Sequence, residues 1–155
     1  MASIEVEWRL PAIDAYVLTK HGAPRSLTAE EGDVLFEYAA EVEAYVVERW
    51  PVDTGTSRDS FAFTLNTQPG AVSATFTNDM FYAEYVTLKG TTPVSEGGTP
   101  LYAELYPQAL DQYRDAAIRD LMAAIDRTEA AIARASSERG RRAATLRAYQ
   151  PAVVA

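Results

Sequence analysis

The sequence predicts an α+β fold: a small antiparallel sheet, made of an N-terminal strand and one β-hairpin, packed with one helix in the N-terminal half and a long C-terminal helix. Three observations predict it. Residues 3–10 alternate apolar and polar. Residues 60–78 hold two alternating runs around a Pro-Gly turn. Two stretches, 28–50 and 107–136, place apolar residues at near-helical spacing. With 155 residues the chain has the length of about one domain. We read 1–136 as that domain and 137–155 as a basic tail or arm.

The elements follow in order. Ile4, Val6 and Trp8 alternate with Glu5, Glu7 and Arg9, the pattern of a half-buried edge strand that Pro11 ends. Ala12 to Lys20 is compatible with a short helix or an extended arm, and residues 21–25 read as a loop. Thr28 is a good N-cap, and Glu31 three residues later completes a capping box. The helix runs to about Trp50 with its apolar stripe at Leu35, Tyr38, Val42 and Tyr45 or Val46, until Pro51 stops it. Residues 51–60 are turn chemistry. Phe61, Phe63 and Leu65 face inward on one hairpin strand, and Val72, Ala74 and Phe76 on the other, with Pro69 and Gly70 placed for a type II turn. Asn78 and Asp79 can cap a short helix over 80–88. Residues 89–100, rich in Gly, Pro, Thr and Ser, read as a mobile loop. The last helix begins near Pro107, a favoured first-turn residue, and runs to about Ser136, after which Gly140 breaks the pattern. Its seam is Ile118, Leu121, Ile125, Thr128, Ile132 and Ala135, and part of so long a helix projects from the body.

Composition excludes several chemistries. The chain has no cysteine, which removes disulfides, thiol nucleophiles and thiolate metal sites. One histidine, His21, cannot build a polyhistidine site. Net charge is −8, which disfavours a surface built to hold nucleic acid. The charge is uneven, because from Arg134 onward there are five arginines and one acid, Glu138. Docking of that segment on an acidic protein surface is favoured over DNA. No apolar run reaches membrane-spanning length, and the acidic N-terminus does not read as a secretory signal. The expectation is therefore a reducing cytosol, or a particle assembled there.

Candidate catalytic groups are few. Asp53, Asp59 and Glu48 read as turn caps and solvated charge, and Glu30, Asp33, Glu37, Glu41 and Glu48 as a solvated helix face lacking a calcium-loop pattern. Lys89-Gly-Thr-Thr lacks the full phosphate-loop motif. A small metal-dependent hydrolase using the Asp/Glu clusters is the rival of another class. No cofactor is expected. The aromatic set Phe81, Tyr82, Tyr85, Tyr102 and Tyr106 reads either as core plus ordinary surface tyrosine or as a subunit interface, where tyrosine is enriched.

The order of parts resembles a known family. A capped helix ends in Pro51, Val52, Asp53, Thr54 and Gly55, followed by Arg58 and Ser60. Next come a hairpin, then Tyr82, Ala83, Tyr85 and Val86, then Gly90 and Thr91, and a Pro-rich entry to the last helix at 100–109. Together these resemble the tail-component (tail-completion, or neck) proteins of lambdoid and related long-tailed bacteriophages, over about residues 28–136. Ser57 departs from the pattern, standing where the family usually has leucine, as does Thr87, where an acid is common. The resemblance implies a non-enzymatic virion protein of the head–tail junction. It implies a ring, a homohexamer, that meets connector, terminator or tail-tube proteins while DNA passes through without sequence-specific binding. A tail terminator or head-closure ring is the neighbouring alternative. Interface candidates on this reading are Tyr82, Tyr85, Gly90, Thr91, Tyr102, Tyr106, Arg139, Arg141, Arg142 and Arg147.

Overall fold

The computed structural model of the chain describes residues 3–52 and 55–149, with side chains described at 3–52 and 57–140. The elements are β1 (Ile4–Arg9), α1 (Pro11–His21), α2 (Ala29–Glu48), the single turn α3 (Gly55–Arg58), β2 (Phe61–Asn66), β3 (Ser73–Asn78) and α4 (Leu101–Tyr149). The fold is α+β, as the patterning implies.

The sheet is antiparallel in the order β1-β3-β2, which leaves the N-terminal strand at an edge. Register pairs Val6 and Phe63 with Phe76, and Trp8 and Leu65 with Ala74. A large side chain therefore lies on either side of each central position, and Ala74 leaves the width that Trp8 needs. Alternation then sets the two faces. Ile4, Trp8, Ala74 and Phe76 are buried, while Glu5, Glu7, Arg9, Ala62 and Thr64 stay in solvent. The hairpin closes as expected, with the Ala71 amide donating to the Gln68 carbonyl at 3.1 Å and Gly70 at φ +71°. Only a residue without Cβ takes that conformation at no cost.

Helix α2 starts where its capping box sits. The Glu31 amide donates to Thr28 Oγ1 at 3.3 Å, and the Thr28 amide donates back to Glu31 Oε1 at 2.9 Å. Its buried stripe is Leu35, Ala39, Val42 and Val46, with Tyr38 and Tyr45 at the margin. The segment after β1 is a helix, not an extended arm, ended by Gly22 at φ +82°. His21 is thus the last helical residue, not part of a loop.

Three expectations are corrected. Residues 80–88 form no α-helix, only a 3-10 turn at Ala83–Tyr85. The capping bond is present, since Asn78 Oδ1 accepts from the Met80 amide at 3.0 Å while its Nδ2 donates to the Ser57 carbonyl at 2.6 Å, which ties the turn to the core, but the chain beyond it does not continue as α-helix. Helix α4 begins at Leu101, six residues before Pro107. Leu101, Leu105 and Tyr106 are buried, and burial of that face outweighs the one hydrogen bond that Pro107 cannot donate. Neither Ser136 nor Gly140 ends the helix, which continues to Tyr149. One interior glycine costs only about 1 kcal/mol, too little to stop a helix already nucleated. The loop 89–100 carries its own 3-10 turn at Val94–Glu96, and Gly98 approaches the Thr92–Pro93 backbone so closely that a Cβ there would stand 2.8 Å from the Pro93 carbonyl oxygen.

Helices α2 and α4 pack side by side over the sheet, and α1 lies along α4. Polar pairs join the three helices: Tyr16 to Asp126 at 2.7 Å, Tyr38 to Asp120, Tyr45 to Gln108 at 3.1 Å, and Arg127 to Glu30 at 2.8 Å. Among the described residues the last buried one of α4 is Ile125, and every residue from 130 to 140 is exposed. At 1.5 Å per residue, the stretch 130–149 extends about 30 Å beyond the body. Among the described residues no helix is long and apolar enough to cross a membrane.

Candidate functional site

The motif segment after α2 is a clamp between helix and sheet. Trp50, 2% exposed, meets Phe61 edge-on at 4.9 Å and donates from Nε1 to Ser57 Oγ at 2.9 Å. Ser57 is fully buried, its carbonyl taken by Asn78 Nδ2 and by the Ser60 amide. The serine that departs from the family pattern thus has a partner that a leucine would leave unsatisfied. Arg58 donates from Nε to the Val47 carbonyl at 3.1 Å, placing a cation at the C-terminal end of α2, where the helix dipole favours it. Pro51, Arg58 and Ser60 are partly buried. Gly55 opens α3, while Asp53 and Thr54 lie outside the described residues. The described part of this segment fastens helix to sheet.

The interface candidates separate. Tyr85 is 60% exposed and Phe81 78%, with Phe81 edge-on to Tyr82 at 5.3 Å, so these rings form an apolar knuckle after β3. Gly90, at φ +86°, and Thr91 sit in the turn beyond it, the Thr91 hydroxyl donating to the Leu88 carbonyl at 2.6 Å. Tyr102 is half-buried against the core. Tyr106 is a core residue and presents nothing to a neighbour: it is 1% exposed, with its ring 5.4 Å from Phe76. Arg139 is exposed on the projecting part of α4, and the side chains of Arg141, Arg142 and Arg147 lie outside the described residues.

Sequence reading missed an ion network that joins α4 to the start of α2. Arg25 grips Glu31 through two bonds, Nη1 to Oε1 at 2.7 Å and Nη2 to Oε2 at 2.9 Å, and reaches Glu129 Oε1 from Nε at 3.0 Å. His21 Nδ1 stands 3.1 Å from the same Glu129 oxygen. Glu31 is fully buried. Burial pushes its carboxyl up, but Arg25, the Thr28 amide and the Thr128 hydroxyl together hold it below the ordinary carboxylate range. No local pattern links residues 25 and 129; only the capping box marked Glu31.

Glu43 Oε2, the Tyr106 hydroxyl and Trp8 Nε1 are buried with no hydrogen-bond partner among the described residues. Burial raises the Glu43 carboxyl, and burial followed by the Glu43 charge raises the Tyr106 hydroxyl. A raised acid contributes less stability once it ionises. Glu43→Gln should therefore raise the melting temperature at pH 8, and the difference should shrink as pH falls and the parent carboxyl takes its proton. Thermal melts at several pH values check this; a variant equal to the parent throughout would show that Glu43 meets water.

Among the described residues no group of three or more histidines and carboxylates could hold a metal ion. Glu30, Asp33, Glu37, Glu41 and Glu48 are exposed along α2, and Glu30 is taken by Arg127. Two of the openings on the surface bear on the candidate residues. One of about 310 Å3 lies under the 87–99 loop, lined by Thr87, Thr91, Thr92, Thr99 and Glu104. The second, a groove of about 510 Å3 between α2 and α4, is lined by Glu37, Tyr38, Glu41, Gln112, Tyr113 and Ala116. Comparison of the chain with protein-family models, with curated proteins and with solved structures found no match in any of the three.

Proposed function

We propose that the chain is a structural subunit of a long-tailed bacteriophage neck. It assembles as a ring, a hexamer, that completes the tail and joins it to the head. DNA passes through the ring without sequence-specific contacts, and no cofactor takes part. The observation that carries this reading is the projecting end of α4. A helix that leaves its own domain, with every residue of 130–140 exposed, buries no side chain of that stretch in its own core. Such an element suits an assembly in which a neighbour supplies the contact. The Phe81–Tyr85 knuckle adds exposed aromatic surface of the kind found in interface cores. Order and spacing of the motif segments, which resemble those of tail-completion proteins, supply the virion context.

The test is deletion of residues 137–155 in a phage encoding the chain. Among the described residues, every buried residue of α4 lies at or before Ile125, so the shortened protein should melt within about 0.5 kcal/mol of the parent. Heads and tails should accumulate unjoined. Unchanged phage titre, or absence of the protein from purified particles, would overturn the proposal.

A further inference from the structure

We propose that the groove between α2 and α4, walled by Tyr38 and Tyr113 and edged by Glu37 and Glu41, receives the arginine-rich end of α4 from a second copy of the chain. The inference rests on the self-assembly part of the proposed function and names its contact.

Charge complementarity is the first support. Residues 1–129 hold 21 acids and 9 bases, while 130–155 hold five arginines and one acid. Among the described residues neither Glu37 nor Glu41 is in an ion pair, whereas other carboxylates nearby are taken: Asp111 by Arg114, Asp120 by Arg119. The groove therefore offers two unneutralised carboxylates between two tyrosine rings. That chemistry recognises guanidinium, which stacks flat on an aromatic face while donating hydrogen bonds from its edge. The same helix already shows the arrangement two turns further on, where the Arg49 guanidinium lies 3.5 Å from the Tyr45 ring centre. A volume of about 510 Å3 leaves room for more than one long side chain.

Helix geometry then selects a second copy as the source. Ala116 and Arg134 belong to one continuous helix, and 18 residues along it is about 27 Å. A chain cannot place its own arm in its own groove without breaking α4. A neighbour can. Groove and arm are different surfaces, so the contact is head-to-tail, the kind that closes into a ring or runs on as a filament.

The absence of cysteine makes a direct test simple. Full-length chains carrying Gln112→Cys are mixed with chains carrying Ser137→Cys and oxidised at low salt. The 112–137 disulfide should form at about ten times the yield of a control pair in which Thr19→Cys replaces Gln112→Cys. High salt should reduce it, since the contact is partly exposed. Reversing the groove (Glu37→Arg with Glu41→Arg) should abolish the excess, and so should reversing the arm (Arg134, Arg139, Arg141, Arg142 and Arg147, each to Glu). Mixing groove-reversed with arm-reversed chains should restore it, which an unfolded variant could not do. Yield no greater than the control, or an excess that survives either reversal alone, overturns the proposal. Failure of the wider reading is separable: there the cross-link forms, yet the protein is missing from virions.

Discussion

Arg25→Ala is expected to cost about 3–5 kcal/mol at neutral pH, because it strands a buried carboxylate. Glu31 has no exposed surface, and Arg25 supplies two of its short contacts. At about 2–4 °C per kcal/mol for a chain of this size, the melting temperature should fall by about 6–20 °C. Glu31→Gln should cost less, because a glutamine at that position still completes the capping box with Thr28 and Arg25 keeps Glu129.

The pH dependence has a definite sign. The Glu31 carboxyl is held below its ordinary value in the folded chain. Its contribution is thus fully present above the unfolded value of about 4.3 and is lost as pH falls through the folded value. Parent and Arg25→Ala should therefore differ most near neutrality and converge below about pH 4. Denaturant melts across pH would show it. A loss under about 1 kcal/mol at pH 7, or an equal loss at pH 3, would show that the network does not stabilise the helix junction.

Trp50→Ala is the second large effect, at about 3–5 kcal/mol for removing a buried tryptophan. The change empties the space against Phe61 and leaves the Ser57 hydroxyl without its donor. Since Ser57 also receives Asn78 and the Ser60 amide, the disturbance should spread to the clamp and the start of β2. Trp50→Phe keeps a ring near Phe61 but gives up the hydrogen bond, about 1 kcal/mol, and the volume of the second ring, so it should cost less than Trp50→Ala. Hydrogen exchange distinguishes local from global effects. The Ser60 amide should exchange faster in Trp50→Ala even after correction for the lower global stability; unchanged protection would mean that the clamp holds without the indole.

The elements read correctly from sequence are those whose causes lie within a few residues. Thr28 and Glu31 are three apart and form the capping box unaided. The alternation in 60–78 and the Pro69-Gly70 turn together settle the hairpin and its inward face. Where reading failed, a distant contact had overridden the local signal. Pro107 looked like a helix start, but burial of Leu101, Leu105 and Tyr106 carries α4 a turn and a half further back. Asn78 makes the capping bond to the Met80 amide, yet only a 3-10 turn follows, and its own amide is tied to the Ser57 carbonyl 21 residues away. Tyr106 looked like an interface ring, and the sheet buried it against Phe76.

The sequence by itself determined the α+β class, the N-terminal strand, the hairpin and the capped start of α2, the charge division between body and arm, and the lack of thiol chemistry. These depend on composition and on periods of two and 3.6 residues, which any short window contains. Only the tertiary structure decided the Arg25–Glu31–Glu129 network, the groove between α2 and α4, and how far α4 leaves the body. Arg25 meets Glu129 across 104 positions, and α2 meets α4 across a similarly long stretch of chain, and no local pattern encodes a meeting at such separation.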